Sequence, residues 1–185
     1  MSKSALIIID MQQGSFTSET PRYDDKGVIN RINRLANLFR SLNGKVIYVQ
    51  HDGTGSGTFE KGNWDWQILK ELKIESTDYL LDKYVNDIFY RSNLLKYLGS
   101  AAIEELYITG CATDFCVAST VQSALTKDYK ITVISDAHTT ADRPKLKAKQ
   151  VIDHYNWVWE NMIPTKGEVK VKACNEIVNT FNEIV

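Results

Sequence analysis

Three side chains in this sequence have the types and the placement that acyl transfer through a thiol requires. Cys116 lies in the predicted first turn of a helix, just after an apolar strand and a glycine-containing turn. There the helix dipole and the unpaired amides of the first turn are expected to lower the thiol pKa and favour the nucleophilic thiolate. Asp10 ends the first apolar run and Lys83 directly follows a later one. A proton acceptor and a cation therefore accompany the nucleophile.

Each of these residues also has an ordinary structural interpretation. Cys116 could be a small buried residue that starts a core helix, because free cysteines are often buried. Lys83 could be a solvated strand end, and Asp10 could be a helix cap or a loop anchor. Their joint role depends on the fold, because the carboxyl ends of parallel strands gather the chemistry of open α/β sheets.

Apolar runs alternate with amphipathic segments along the chain, which predicts one α/β domain over residues 1–185, with a parallel sheet and helices on both of its faces. The run Ala5–Ile9 is apolar throughout, which is typical of a strand buried on both faces. The predicted strands cover residues 5–9, 46–50, 79–82, 106–109, 130–135 and 169–171. The predicted helices cover residues 26–43, 91–99, 114–126, 144–161 and 173–184.

Composition excludes several classes of function. The chain has 185 residues and a net charge of -1, so it offers no basic surface for nucleic acid or for an anionic membrane. Cys111, Cys116 and Cys174 cannot all pair and lack zinc-site spacing, which favours reduced thiols in a cytoplasmic protein. Because a basic-plus-apolar leader and a long apolar run are both absent from the sequence, we expect a soluble protein.

The motifs of the chain resemble those of the isochorismatase-like cysteine hydrolases, a family that includes nicotinamidases and other small amidases. The resemblance is carried by residues 6–12 (LIIIDMQ), Lys83 with Phe89, residues 109–117 (TGCATDFCV) and residues 135–138 (SDAH). It implies a three-layer α/β/α sandwich whose six parallel strands have the order 3-2-1-4-5-6, which matches the alternation described above.

The same resemblance implies a role for each site residue. Cys116 corresponds to the nucleophile, Asp10 to the general base and Lys83 to their electrostatic partner. The peptide bond before Ala112 is expected to be cis, and the amides of Ala112 and Cys116 are expected to form the oxyanion hole.

Two departures from the family restrict these implications. Nicotinamidases hold a metal with an Asp-x-His pair and further histidines, whereas His51 and Asp52 here have no second histidine before His138. We therefore expect no metal and no other cofactor. Isochorismatases proper lack the nucleophilic cysteine and cleave a vinyl ether, so Cys116 favours cleavage of a small amide or related C–N bond through a thioester.

A small-molecule substrate needs further contacts, for which the candidates are Phe16, His51, Trp64, Tyr84, Phe115 and His138. Phe16 is an isolated aromatic in a polar loop, where it could pack beneath the loop or form a pocket wall. Trp64 and Trp66 indicate a contact with the domain or with a partner subunit more than with substrate. We expect a homo-oligomer in which residues 53–66 help to close a neighbour's site.

Three alternatives stay open at this point. A vinyl ether hydrolase of the isochorismatase type would use the same fold without a thioester. A catalytically silent binding module would also keep the fold, and loss of a catalytic side chain would have favoured it. A redox protein using Cys111 and Cys116 is the third, but their spacing differs from the Cys-x-x-Cys arrangement.

Overall fold

The computed structural model describes residues 3–182, which contain a six-stranded sheet in the order β3-β2-β1-β4-β5-β6. All neighbouring strands are parallel. The strands are β1 (Ser4–Ile9), β2 (Lys45–His51), β3 (Tyr79–Lys83), β4 (Glu105–Cys111), β5 (Lys130–Thr139) and β6 (Val169–Lys172). The predicted order 3-2-1-4-5-6 is confirmed.

Helices cover both faces of the sheet, as the alternation of elements predicts. Within the described residues they are α1 (Asp25–Ser41), α2 (Leu94–Ser100), α3 (Ala118–Leu125), α4 (Ala148–Glu160) and α5 (Cys174–Asn182). Residues 183–184 of the last predicted helix lie outside the described residues. None of the helices in the described part of the chain is long and apolar enough to cross a membrane.

β1 is the centre of the molecule, because it pairs with β2 on one side and with β4 on the other. All six of its residues are buried. Ile7 and Ile9 join the core beneath α2, α3 and α4, whereas Leu6 and Ile8 join the core beneath α1 and α5. Burial on both faces explains why this strand consists of an uninterrupted apolar run.

The elements around the turn after β4 differ from the sequence prediction. β5 continues to Thr139 instead of ending at residue 135, and the segment 114–126 begins as a π-helical turn at Thr113–Val117 before α3. The pairing of β4 with β5 shifts between Ile108 and Gly110, after which Gly110 pairs with His138. The polar run after residue 135 therefore stays in the sheet because of strand pairing, which local sequence does not encode.

Gly110 lets β4 approach β1 closely just before the turn. Its φ is 118°, and a Cβ placed there would lie 2.2 Å from the backbone oxygen of Ile9. Glycine adopts positive φ and tolerates such an approach because it has no Cβ. This contact fixes the position of the turn relative to the end of β1.

Candidate active site

The structure brings Asp10, Lys83 and Cys116 together at the carboxyl ends of β1, β3 and β4. The Lys83 Nζ lies 2.7 Å from the Asp10 Oδ2 and 3.3 Å from the Cys116 Sγ. β3 is two strands away from β1, about 10 Å at the usual strand spacing, so a long side chain is needed to reach Asp10. The lysine side chain is completely buried, which excludes a solvated strand end.

Asp10 is held where the chain leaves β1. Its φ of 48° lies in the left-handed region, where aspartate and asparagine occur more often than most other residues. Its backbone N–H donates to the Val49 carbonyl at 2.9 Å. The carboxylate is buried, and its Oδ1 has no hydrogen-bond partner among the described residues. That oxygen is free to accept a proton or a hydrogen bond from a bound molecule.

The resting thiol is protonated, contrary to the sequence expectation. Burial and the charge of Asp10 raise the pKa of Cys116 to about 12, whereas Lys83 acts to lower it. Burial also acts to lower the pKa of Lys83. The nearby Asp10 and Cys116 have the larger combined effect, so the lysine pKa lies above its ordinary value. Desolvation is the largest of these influences on Cys116, and it opposes formation of the thiolate. The site holds a neutral thiol beside a buried ion pair.

The turn that carries Cys116 is fixed by a network outside the cavity. Asp114 accepts hydrogen bonds from the Arg143 Nε at 2.7 Å and from the Thr140 Oγ1 at 2.7 Å. Burial acts to raise the Asp114 pKa, but these hydrogen bonds lower it, so the carboxylate stays charged. The extended β5 leads into Thr140 and Arg143, which is why its unpredicted length matters for the site.

The backbone before Cys116 has the predicted cis peptide bond, between Cys111 and Ala112. The Ala112 carbonyl accepts hydrogen bonds from the Phe115 and Val117 N–H groups. The Ala112 N–H has no acceptor among the described residues. A free amide next to the thiol is compatible with an oxyanion hole, and that role stays a prediction.

A cavity of about 210 Å³ opens onto these groups. Pockets for drug-sized ligands usually measure about 300–1,000 Å³, so this cavity has room only for a smaller molecule. Of the predicted substrate contacts, His51 and Phe115 line the cavity. The other lining residues are Asp10, Gln12, Ser15, Arg22, Phe59, Asn86, Cys111, Ala112 and Cys116.

Several of these lining residues were missed by sequence reasoning. Gln12 lies in the first motif, and its side chain accepts the His51 N–H at 2.8 Å and donates to the His51 carbonyl at 3.0 Å. Asn86 follows Lys83 by three residues and its Oδ1 lies 3.5 Å from the Cys116 Sγ. Arg22 lies in an aperiodic loop, and no local pattern indicates its position.

Four predicted substrate contacts lie outside the cavity, namely Phe16, Tyr84, Trp64 and His138. Phe16 packs against the core beneath α1, because its loop lies beside the first turns of that helix. Tyr84 follows Lys83 and is exposed, since successive side chains of an extended segment point to opposite sides. Trp64 is 60% exposed. The idea that the Trp64 loop closes a neighbour's site, and the homo-oligomer itself, stay predictions.

His138 is buried and does not line the cavity at Cys116. Its Nδ1 lies 2.9 Å from the Thr113 Oγ1 and its Nε2 lies 2.9 Å from the Asn156 Oδ1. Burial lowers its pKa to about 4, so the imidazole is neutral at neutral pH. The histidine joins β5 to α4 and to the turn that begins at Thr113.

The residues at the end of β2 do not fit a metal centre. The Oδ1 of Asp52 accepts the Thr54 N–H at 2.9 Å. In the part of the chain that the structure describes, His, Cys, Asp and Glu form no group of three or more that could hold a metal ion. The metal-free reaction stays a prediction that requires an assay.

Comparisons with known proteins identify the family of the chain. The family model named Isochorismatase domain matches residues 4–165. The chain is 30% identical over 175 residues to a probable inactive nicotinamidase of Arabidopsis thaliana, covering 83% of this chain and 88% of that protein. It is 28% identical over 172 residues to a ureidoacrylate amidohydrolase of Serratia proteamaculans, covering 73% of this chain and 69% of the relative.

Coverage of the relatives varies, and the solved structures support the fold. The chain matches only about half, 51%, of the length of a streptothricin hydrolase of Streptomyces noursei, at 24% identity over 76% of its own length. A cysteine hydrolase from Pseudomonas syringae pv. phaseolicola superposes with a TM-score of 0.89 at 19% identity. That superposition covers 100% of this chain and 94% of the other.

Proposed function

Since the chain belongs to the isochorismatase family of hydrolases, we propose that it hydrolyses a small amide or related C–N bond through a thioester on Cys116. The observation that carries this proposal is the placement of the buried Lys83 between Asp10 and Cys116. A carboxylate and a thiol that line one cavity, with a cation buried between them, are the parts that thiol acyl transfer requires. The presence of Cys116 also disfavours cleavage of a vinyl ether, because that reaction needs no nucleophilic cysteine.

The first half of the reaction begins from the neutral thiol. Asp10 accepts the proton of Cys116, and the charge of Lys83 stabilises the thiolate that forms. The sulfur attacks the substrate carbonyl, whose oxygen becomes negative and accepts hydrogen bonds from the Ala112 and Cys116 amides. In other enzymes the loss of one such donor costs about 2.7–4 kcal/mol of transition-state stabilisation. Asp10 then returns its proton to the departing nitrogen, so that ammonia or an amine leaves and a thioester remains.

The second half consumes one water molecule. Asp10 takes a proton from this water, the resulting hydroxide attacks the thioester carbonyl, and the C–S bond breaks. The thiol recovers the proton, and the product is a carboxylic acid. The free Oδ1 of Asp10 supports this role, because a buried carboxylate oxygen without a partner can accept a proton from thiol or water.

The proposal is tested by incubating the purified chain with small amides, ureides and N-carbamoyl compounds and measuring ammonia release. A compound that is hydrolysed is then mixed with enzyme, the reaction is quenched rapidly in acid, and the protein is digested and analysed by peptide mass spectrometry. We expect an added acyl mass on the peptide that contains Cys116. Cys116→Ala should abolish both turnover and the adduct.

Cys174→Ala is the matched control, because Cys174 is a buried thiol on α5 that lies outside the cavity. It should retain turnover and the adduct. Activity that persists in Cys116→Ala would refute the thioester. An intact site that hydrolyses no compound of the panel would instead favour a silent binding module.

A further inference from the structure

We infer that Arg22 binds a carboxylate of the substrate, so that the substrate is a small amide or carbamoyl compound that also carries an acid group. The inference rests on the proposed function, because it concerns the same cavity. Arg22 comes from the loop between β1 and α1, is half-buried, and lines the cavity together with Cys116 and Ala112.

Arg22 has a fixed position and no anionic partner. Its Nε–H donates to the Ser15 carbonyl at 2.6 Å, which holds the base of the guanidinium against its own loop. Within residues 3–182, the arginines that form salt bridges are Arg31, Arg40 and Arg143. The terminal amino groups of Arg22 have no acceptor among those residues, so they are available to a ligand.

Arg22 also lines a second, neighbouring cavity with Glu19 and Asp142, but neither carboxylate lines the cavity at Cys116. Asp10 and Lys83 form an ion pair with each other, so their charges cancel. Burial raises the pKa of both cavity thiols to about 12, and burial lowers the pKa of His51, whose imidazole is neutral at neutral pH. Among the described residues that line the cavity, Arg22 therefore provides the net charge, which is positive.

Size and chemistry favour a carboxylate as the anion. The cavity of about 210 Å³ must hold both the reacting carbonyl and the anionic group, which limits the substrate to a few carbon atoms. The planar guanidinium can donate two parallel hydrogen bonds to a carboxylate, a bidentate arrangement. The side chains of Phe59 and Phe115 supply apolar walls between these polar groups. A short acid with a terminal amide or carbamoyl group meets all three conditions.

A pair of alkylating agents tests this inference without any knowledge of the natural substrate. Iodoacetate carries a carboxylate where iodoacetamide carries an uncharged amide, and both react with the same thiolate. Labelling rates at Cys116 are measured by peptide mass spectrometry in about 0.15 M salt, which screens distant charges. The ratio of the two rates cancels any change in thiolate fraction, so it reports the charge that the reagent meets.

Arg22→Gln should lower the iodoacetate-to-iodoacetamide ratio by about three- to tenfold, the order expected from loss of one nearby charge. Lys26→Gln is the matched control, since Lys26 is an exposed cation outside the cavity, and its ratio should stay within about 1.5-fold of wild type. Arg22→Lys keeps the charge but lacks the Nε–H donated to Ser15, and it should retain most of the ratio.

The outcomes separate this inference from the proposed function. An unchanged ratio in Arg22→Gln overturns the role of Arg22, as does an equal decrease in Lys26→Gln. If the ratio decreases as much in Arg22→Lys as in Arg22→Gln, the effect comes from the position of the loop and not from the charge. That result also overturns the role of Arg22. Hydrolysis of uncharged amides combined with an unchanged ratio would refute the carboxylate and leave the thioester intact. A decreased ratio without hydrolysis of any panel compound would support Arg22 and refute only the reaction.

Discussion

Replacing Lys83 by methionine removes the positive charge from the site while keeping a side chain of similar length. In the structure the Nζ lies 3.3 Å from the Cys116 Sγ, and two opposite charges at that distance interact by about 5 kcal/mol at an effective dielectric constant of about 20. Water that enters the vacated space will weaken this effect. We therefore expect the thiol pKa to rise by about 1–3, the usual influence of a close opposite charge.

The assay is the pH profile of iodoacetamide labelling at Cys116. Below the thiol pKa the labelling rate follows the thiolate fraction, so Lys83→Met should react about 10–1,000 times more slowly than wild type at the same pH. Turnover should fall further than labelling, because the variant also leaves Asp10 as a buried carboxylate without its cation. Breaking such a pair costs about 3–5 kcal/mol of folding stability, so urea unfolding should accompany the assay.

Lys61→Met is the matched control for the loss of a lysine. Lys61 pairs with Asp82, the residue before Lys83, but its side chain is 57% exposed and lies outside the cavity. Its labelling profile should coincide with that of wild type. Coincident profiles for Lys83→Met and wild type would refute the electrostatic reasoning, since a cation at 3.3 Å must then have no effect on the thiol.

Four further outcomes are expected. Asp10→Asn removes the charge that opposes thiolate formation, so Cys116 should be labelled faster while turnover falls by about 10²–10⁴-fold; slower labelling would contradict the assigned repulsion. Burial lowers the pKa of His138 from 6.5 to about 4, so its contribution to stability is complete above pH 6.5. That contribution, about 3 kcal/mol, should be lost as the pH falls to about 4. If the unfolding free energies of wild type and His138→Gln differ by the same amount at every pH, this pH dependence does not come from His138. Gly110→Ala should lower the free energy of urea unfolding by at least about 2 kcal/mol, because its Cβ would lie 2.2 Å from the Ile9 oxygen; a loss below about 0.5 kcal/mol would show that the two strands separate easily. Chelation should leave activity unchanged, and a loss that zinc or iron restores would overturn the metal-free prediction.

Much of the fold could be predicted from short-range patterns. The apolar runs that became β1, β2 and β4 are visible because a strand buried on both faces needs apolar residues at successive positions. The polar continuation of β5 to Thr139 could not be predicted in this way. Its place in the sheet depends on pairing with the end of β4, more than twenty residues earlier in the chain.

The candidate site also has a part that the sequence predicts and a part that it does not. Asp10, Lys83 and Cys116 could be named from the sequence, because each follows or ends an apolar run and parallel strands bring such ends together. The protonated thiol could not be predicted, because its pKa depends on burial and on a carboxylate 106 residues away in the chain. The place of Arg22 in the cavity and the burial of His138 could not be predicted from the sequence either.

The sequence by itself thus specified which chemical groups the chain possesses and at which edge of the sheet they meet, since periodicity and strand ends are local properties. The tertiary structure determined how those groups are charged, which side chains enclose them and which candidates point elsewhere. Charge and enclosure arise from desolvation and from distances between elements remote in the chain. No local pattern contains those distances.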